Sequence, residues 1–298
     1  MMLASALLAL AQAVAAPPAD GTILAMGEPL PGAPDGVVVR SIDYASDGLR
    51  VKGYLARPKA EGTYPALIFN RGGNREFGAL TDAGAARRLG LYASWGYVVV
   101  ASQYRGNGGG EGREEFGGED VNDVLNLLPL LDGMSGVDRE RVGMIGWSRG
   151  GMMTYLALAR TDRIRAAAVG AGLADLEASL RLRPELEPVA RDLIPGFDTD
   201  REAQLAARSA VRFAGTLPAT TPILLLHGTS DWRVDPRQAL AMASALLEAK
   251  RPYRLLLFEG GDHALGEFRD DVDRALREWM DRYVRDRKPF PSIEPHGD

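Results

Sequence analysis

Cysteine is absent from the 298-residue chain, and histidine occurs three times, at His227, His263 and His296. The first absence excludes disulfides, thiolate nucleophiles and cysteine metal sites, and it leaves the redox compartment unread. So few histidines, with no His-x-Glu or His-Glu-x-x-His spacing, form no zinc motif; no metal and no cofactor is expected. No run reaches the roughly 18 apolar residues a membrane span needs. The 35 Lys and Arg are scattered among 40 Asp and Glu, for a net charge of −5. Without a basic stripe, nucleic acid is not an expected partner. No internal repeat occurs.

What is present is ordinary globular material, 46% hydrophobic and 25% charged, enough for one large core. Residues 1–16 combine an apolar core, Leu3 to Leu10, with small residues from Ala11 to Ala16. This reads as a signal peptide, although no Lys or Arg precedes the apolar run, and it implies a secreted or periplasmic protein; a buried N-terminal helix is the alternative. Residues 17–36, rich in Pro, Gly and Ala, read as a flexible arm. Residues 37–288 read as a single domain and 289–298 as a tail. Within the domain, "VVVRSIDYASDGLRVKGYLARP" predicts two strands around Asp47-Gly48. Beyond it, strands alternate with helices about six times. That alternation predicts an α/β fold: a mostly parallel sheet with helices on both faces and the hairpin at one edge. "EDVNDVLNLLPLLDG" reads as a helix bent or ended by Pro129. Residues 173–215 break the rhythm and read as an insertion, either a small cap over the strand ends or a plain surface excursion.

The stretch "RVGMIGWSRGGMMTYLALAR" runs a strand into Gly-Trp-Ser-Arg-Gly and then a helix. A lone Gly-x-Ser-x-Gly is a weak signal, but the strand-turn-helix setting is the one in which a serine stands on a sharp elbow near positive φ. Glycines on either side let strand and helix approach without Cβ clashes. Ser148 at a helix N-terminus leaves the Arg149 N–H to meet a developing oxyanion. Trp147 is expected beneath the elbow.

A serine hydroxyl needs a base. His296 lies in the tail, and His227 ends the strand "ILLLHG", where a structural histidine is expected. His263, in "FEGGDHAL" after the last strand, is the candidate base, since such sheets deliver site residues at strand carboxyl ends. The carboxylate that orients it is read as Asp231 in "HGTSDWRVDP"; Asp235, before a proline and a helix, reads as a cap, and Asp262 points elsewhere. A second oxyanion donor is expected from "FNRGGNREFG": the N–H groups of Arg71 and Gly72, or the Arg71 side chain. The Gly-rich stretch from Tyr104 lacks Gly-Lys-Ser/Thr and is not read as a nucleotide loop. Arg181, Arg183 and Arg191 of the insertion read as a solvated helix face, with a substrate carboxylate as the alternative.

Together "NRGGN", "SQYRGNGGGEG", "DVNDVLNLL", "VDRERVGMIGWSRGGMMT", "HGTSDWRVDPRQA" and "GGDHAL" resemble the α/β-hydrolase fold, and more narrowly the catalytic domain of the prolyl oligopeptidase family. The resemblance implies Ser148 as nucleophile, Asp231 as orienting acid, His263 as base and the Arg149 amide in an oxyanion hole. It also implies a small ester or peptide substrate. The chain departs from the family in carrying Arg149 where many members have tyrosine, and Arg71 where peptidase members often supply tyrosine or histidine. The stretch before Asn70 is too short for a propeller of four-stranded blades. Peptide hydrolysis and carboxylesterase action on small esters are therefore both expected readings. A hydrolase-fold binding protein without catalysis is the reading from another class, opposed by an ordered Ser, Asp and His.

Overall fold

The computed structural model describes residues 16–297, so the expected signal peptide lies outside the described residues apart from Ala16. Nine strands form one sheet: β1 (Ile23–Met26), β2 (Val37–Ser46), β3 (Leu49–Pro58), β4 (Tyr64–Asn70), β5 (Val98–Ser102), β6 (Val137–Trp147), β7 (Ile164–Gly170), β8 (Ile223–Gly228) and β9 (Tyr253–Phe258). Their order is β1-β2-β3-β5-β4-β6-β7-β8-β9. The pairs from β5 to β9 are parallel, and the first three strands add an antiparallel edge. The β2–β3 hairpin turns at Asp47 and Gly48, with φ of 52° and 77°. Two positive φ values match the right-handed twist of the flanking strands.

One expectation is corrected here. Residues 17–36 are not a loose arm throughout: β1 pairs antiparallel with β2, and the N–H of Leu30 reaches the Val39 carbonyl at 2.8 Å. The outer rim of β2 would otherwise present unpaired backbone groups, and even a four-residue strand covers them. The helix expected across Pro129 is two short ones, α2 (Asp120–Leu125) and α3 (Leu127–Asp132), which follow α1 (Asp82–Ser94). Pro129 sits in the first turn of α3, where its missing N–H is no loss, so the break falls before it.

The remaining helices are α4 (Arg149–Leu158), α5 (Leu176–Leu182), α6 (Glu187–Leu193), α7 (Arg201–Ala207), α8 (Ala210–Phe213), α9 (Arg237–Glu248) and α10 (Arg269–Met280). On one face, α1 and α10 bury Leu89, Tyr92, Leu276 and Trp279 against Leu67, Val99 and Leu224. On the other, α2, α3, α4 and α9 bury Val124, Leu127, Met153 and Met242 against Ile68, Val100 and Leu225. β5 is buried at every position, as a strand covered on both faces must be. Helices α5 to α8 make up the 173–215 insertion. Because the parallel strands run one way, the loops carrying Arg71, Ser148, Asp231 and His263 leave the sheet at one rim.

Packing is close at the β6–α4 junction. A Cβ on Gly146 would stand 2.2 Å from the Gly150 carbonyl oxygen, and one on Gly150 would stand 2.0 Å from that of Asn70. Gly150→Ala therefore forces a backbone shift. Overpacking of this kind costs about 1–3 kcal/mol, so the thermal midpoint is expected to fall by roughly 2–6 °C for a domain of this size. An unchanged melting curve would contradict this packing.

Candidate active site

Ser148 stands between the end of β6 and the start of α4 with φ 58° and ψ −123°, a strained conformation for a residue with a side chain. Its N–H bonds the Gly170 carbonyl at 2.9 Å, and its own carbonyl accepts from Gly151 at 2.9 Å, so the elbow is held from β7 and from α4. The hydroxyl is thereby lifted to the rim. It faces an open cavity of about 400 Å³ that His263 also lines.

His263 Nδ1 lies 2.7 Å from Asp231 Oδ2. This leaves Nε2 as the nitrogen available toward the cavity. Trp147 is not simply beneath the elbow: it lines the cavity, and its Nε1–H donates to the His263 carbonyl at 2.9 Å, tying the histidine loop to the serine strand. Asp231 is buried, and its other oxygen, Oδ1, accepts the N–H groups of Arg233 at 2.8 Å and Val234 at 3.0 Å. Burial raises the pKa of this carboxyl, but hydrogen bonds from His227, His263 and the Val234 N–H outweigh it and hold the group well below the usual carboxylate range. The two other carboxylates weighed from the sequence are turned to backbone: Asp235 takes the Arg237 N–H at 2.8 Å, and Asp262 takes that of Ala264 at 2.8 Å. His296 is exposed in the tail, with Nδ1 2.7 Å from the Glu294 carbonyl.

His227 has more contact with the site than its strand-end position suggested. It is fully buried, with Nε2 2.8 Å from the Val234 carbonyl and 3.2 Å from Asp231 Oδ2. A carbonyl only accepts, so Nε2 carries the proton, and the same N–H faces the carboxylate. The signal was present in "HGTSD", where a tight turn returns the fifth residue to the first.

Around the serine, Gly72, Gly73 and Asn74 wall the cavity, and a Cβ on Gly72 would stand 3.0 Å from that of Ser148. The Arg149 N–H, at the start of α4, has no acceptor among the described residues. Arg71 requires a correction. Its side chain is 1% exposed and stands behind the wall, donating to the carbonyls of Gly72, Arg75 and Gln103, so it is not itself a donor into the cavity. Gly73, which the sequence reading passed over, lies in the wall instead. Of the three arginines singled out in the insertion, Arg183 lines the cavity, while Arg181 pairs with Glu177 and Arg191 with Asp198 at the surface. Leu173 and Leu186 join Arg183 there, so the insertion forms one wall of the site. Asp192 on α6 pairs with Arg75 and Arg113, fastening the insertion to the loops beside the serine. Among the described residues, no group of three acidic or histidine side chains could hold a metal ion.

A model of the prolyl oligopeptidase family matches residues 85–287. The chain is similar to the uncharacterized peptidase YtmA of Bacillus subtilis, 31% identical over 242 residues, which cover 80% of this chain and 92% of that one. It is also similar to dipeptidyl-peptidase 5 of Porphyromonas gingivalis, 26% identical over 233 residues, covering 74% of this chain and 34% of the relative. In fold it is similar to the acylaminoacyl peptidase of Pyrococcus horikoshii, with a TM-score of 0.73 at 23% identity over 88% of this chain and 44% of the other. The chain thus spans nearly the whole of one relative, about a third of the second and somewhat under half of the third.

The geometry at Asp231 generates two expectations. Asp231→Asn is expected to lower kcat by about 10³–10⁴ through loss of the imidazole's tautomer and of its charge partner, with KM little changed. Because folding depresses the Asp231 pKa, its ionised form stabilises the native state above the unfolded carboxylate value near 4. That contribution is lost as pH falls below this value toward the folded pKa. Thermal unfolding measured between about pH 5 and 2 should therefore depend less steeply on pH in Asp231→Asn than in the parent chain. Parallel curves would show that the fold does not depress this carboxyl.

Proposed function

The chain belongs to the prolyl oligopeptidase family, and from that premise we propose that it hydrolyses peptide or acyl-amino bonds through an acyl-enzyme on Ser148. It is a serine hydrolase of peptidase lineage with an α/β-hydrolase fold. The observation that carries the site assignment is the 2.7 Å contact of His263 Nδ1 with Asp231, on a histidine that shares one cavity with the strained Ser148. Ser148 Oγ attacks the scissile carbonyl carbon while His263 Nε2 takes the hydroxyl proton. The negative charge on the carbonyl oxygen is met by the Arg149 N–H and by the N–H groups of Gly72 and Gly73. The tetrahedral intermediate collapses, the C–N or C–O bond breaks, and the imidazolium returns its proton to the leaving group. Water, deprotonated by the same imidazole, then releases the acyl group and restores the serine.

The cavity wall indicates which substrates fit. Phe77, Phe116, Leu173, Leu186 and Val234 make it largely apolar, Arg149, Arg183 and Arg233 are the arginines in its lining, and no carboxylate among the described residues lines it. A substrate with a free α-ammonium group beside the scissile bond would find no counter-ion there, and an unpaired charge is costly to desolvate. An acyl-blocked apolar residue suits this wall better. Export of the chain is also proposed, on residues 1–16 alone. N-terminal sequencing of the protein recovered from outside the cytoplasm would test it, with a mature chain beginning near Pro17 expected and an intact Met1 arguing against it.

Two measurements test the enzymatic reading. A fluorophosphonate is expected to label the parent chain at Ser148 and to leave Ser148→Ala unlabelled; a folded parent chain that never labels would sink the assignment. On p-nitroanilides of one apolar residue, the N-acetyl form is expected to exceed the free-amine form in kcat/KM by at least about 10-fold, roughly 1.4 kcal/mol. The reverse order would refute the proposed preference, and hydrolysis of p-nitrophenyl acetate with neither anilide cleaved would favour the esterase reading.

A further inference from the structure

We propose that Arg71 and Arg149 are positioning residues that set the oxyanion hole, their buried guanidinium groups holding the peptide units on both sides of Gly73. The proposal rests on the reading of Ser148 as nucleophile and goes beyond it by assigning a task to two side chains that do not touch substrate.

Consecutive carbonyls of this loop are gathered inward. The Arg71 carbonyl accepts from Tyr104 Oη at 2.9 Å, that of Gly72 from Arg71 Nη1 at 3.0 Å, and that of Gly73 from Arg149 Nη1 at 3.1 Å. The Arg75 carbonyl accepts from Arg71 Nη2 at 3.0 Å, and the Arg75 N–H donates to Glu114 at 3.1 Å. The three donor side chains are at most 2% exposed. No peptide bond in the described chain is cis, and in a trans peptide the C=O and the following N–H point in opposite directions. With the Gly72 carbonyl turned toward Arg71, the Gly73 N–H turns away from it. Gly73 lines the cavity, and among the described residues neither its N–H nor that of Gly72 has an acceptor.

A glycine is where such a loop can most easily flip, because it lacks the steric bias that a Cβ imposes. Gly73 has φ +70°, and a Cβ there would stand 1.9 Å from the Phe77 carbonyl oxygen, so no other residue fits. The freedom that lets Gly73 take this turn would also let its flanking peptides rotate. Arg71 holds the peptide before it and Arg149 the peptide after it. Arg149 therefore acts twice, its backbone N–H being one proposed donor and its guanidinium fixing the loop that supplies the other. The cations are balanced beneath the loop: Arg149 pairs with Glu114 at 3.0 Å and with Asp120, and Arg71 Nη2 lies 3.9 Å from Glu114. Both guanidinium groups also lie 5.0 Å from the centre of the Tyr104 ring. Pre-aligned donors need no reorganisation as charge develops.

The experiment compares the full chain with Arg71→Met and Arg149→Met, counting competent sites by the burst of an activated ester and reading kcat per titrated site, KM, and inhibition by an aryl boronic acid. The expected result is a kcat per site lowered by about 10–10³-fold, approaching the loss of one oxyanion donor. KM should stay within about twofold, and boronate affinity should fall in step with kcat, as for an interaction made only in the transition state. A purely structural role would reduce the number of titrated sites or the melting temperature while leaving kcat per site and boronate affinity intact, and that outcome overturns the proposal. Should Arg71→Met fail to fold, Arg71→Lys carries the same test: it keeps the charge but cannot span the Gly72, Arg75 and Gln103 carbonyls. Failure of the Ser148 assignment itself would appear separately, as a parent chain with no burst and no labelling.

Discussion

The backbone at Ser148 is held at φ 58° and ψ −123°, and the rest of the site follows from that turn. A β-strand cannot feed an α-helix so abruptly unless the two approach to near-backbone contact, which the absent side chains of Gly146 and Gly150 allow. The strain is sustained because the surroundings over-determine it: β7 accepts the serine's N–H, and α4 packs its length against the sheet. The same geometry puts a helix N-terminus, with an unpaired N–H, beside the hydroxyl it lifts.

Most polar groups around this turn are buried with partners, while Asn70 Oδ1, Arg149 Nε and His227 Nδ1 are buried without one among the described residues. Asp231 receives two backbone N–H groups on one oxygen and two imidazole nitrogens on the other, so its charge survives burial. Arg71 and Arg149 spend their donors on carbonyls and on Glu114 and Asp120. In a poorly solvated interior any of these groups left alone would cost several kcal/mol. The bonds that are made tie together the loops lining the candidate site. The insertion completes the arrangement by closing one side of the cavity and fastening itself to those loops through Asp192.

Much of the architecture was legible because it rests on local pattern. Alternating apolar runs and helical segments announce a mostly parallel sheet, Asp47-Gly48 announces the hairpin, and Gly-x-Ser-x-Gly between a strand and a helix announces the elbow. With three histidines in the chain, and one of them after the last strand, the candidate base was also within reach. Signals that depend on a partner were not. β1 is four residues long and forms to cover the rim of β2, and nothing in its own residues requires that. Whether the insertion would cover the site or lie apart from it depends on where Leu173, Arg183 and Leu186 come to rest, 25 to 38 residues beyond the serine in the chain.

The sequence by itself determined the class of fold, the elbow and the chain order of serine, aspartate and histidine, because turn chemistry and hydrophobic periodicity act over a few neighbouring residues. Only the tertiary structure decided what each remaining side chain does. It turned Arg71 away from the cavity toward the carbonyls of its own loop, brought His227 onto the same carboxylate oxygen as His263, and placed Trp147 against the histidine loop. The His227 contact is local, carried by the HGTSD turn, but the others depend on segments far apart in the chain, as with the 116 positions that separate Trp147 from His263 and the 32 between Arg71 and Gln103. No local pattern encodes those, because their hydrogen-bond partners are chosen only when the strands are laid side by side.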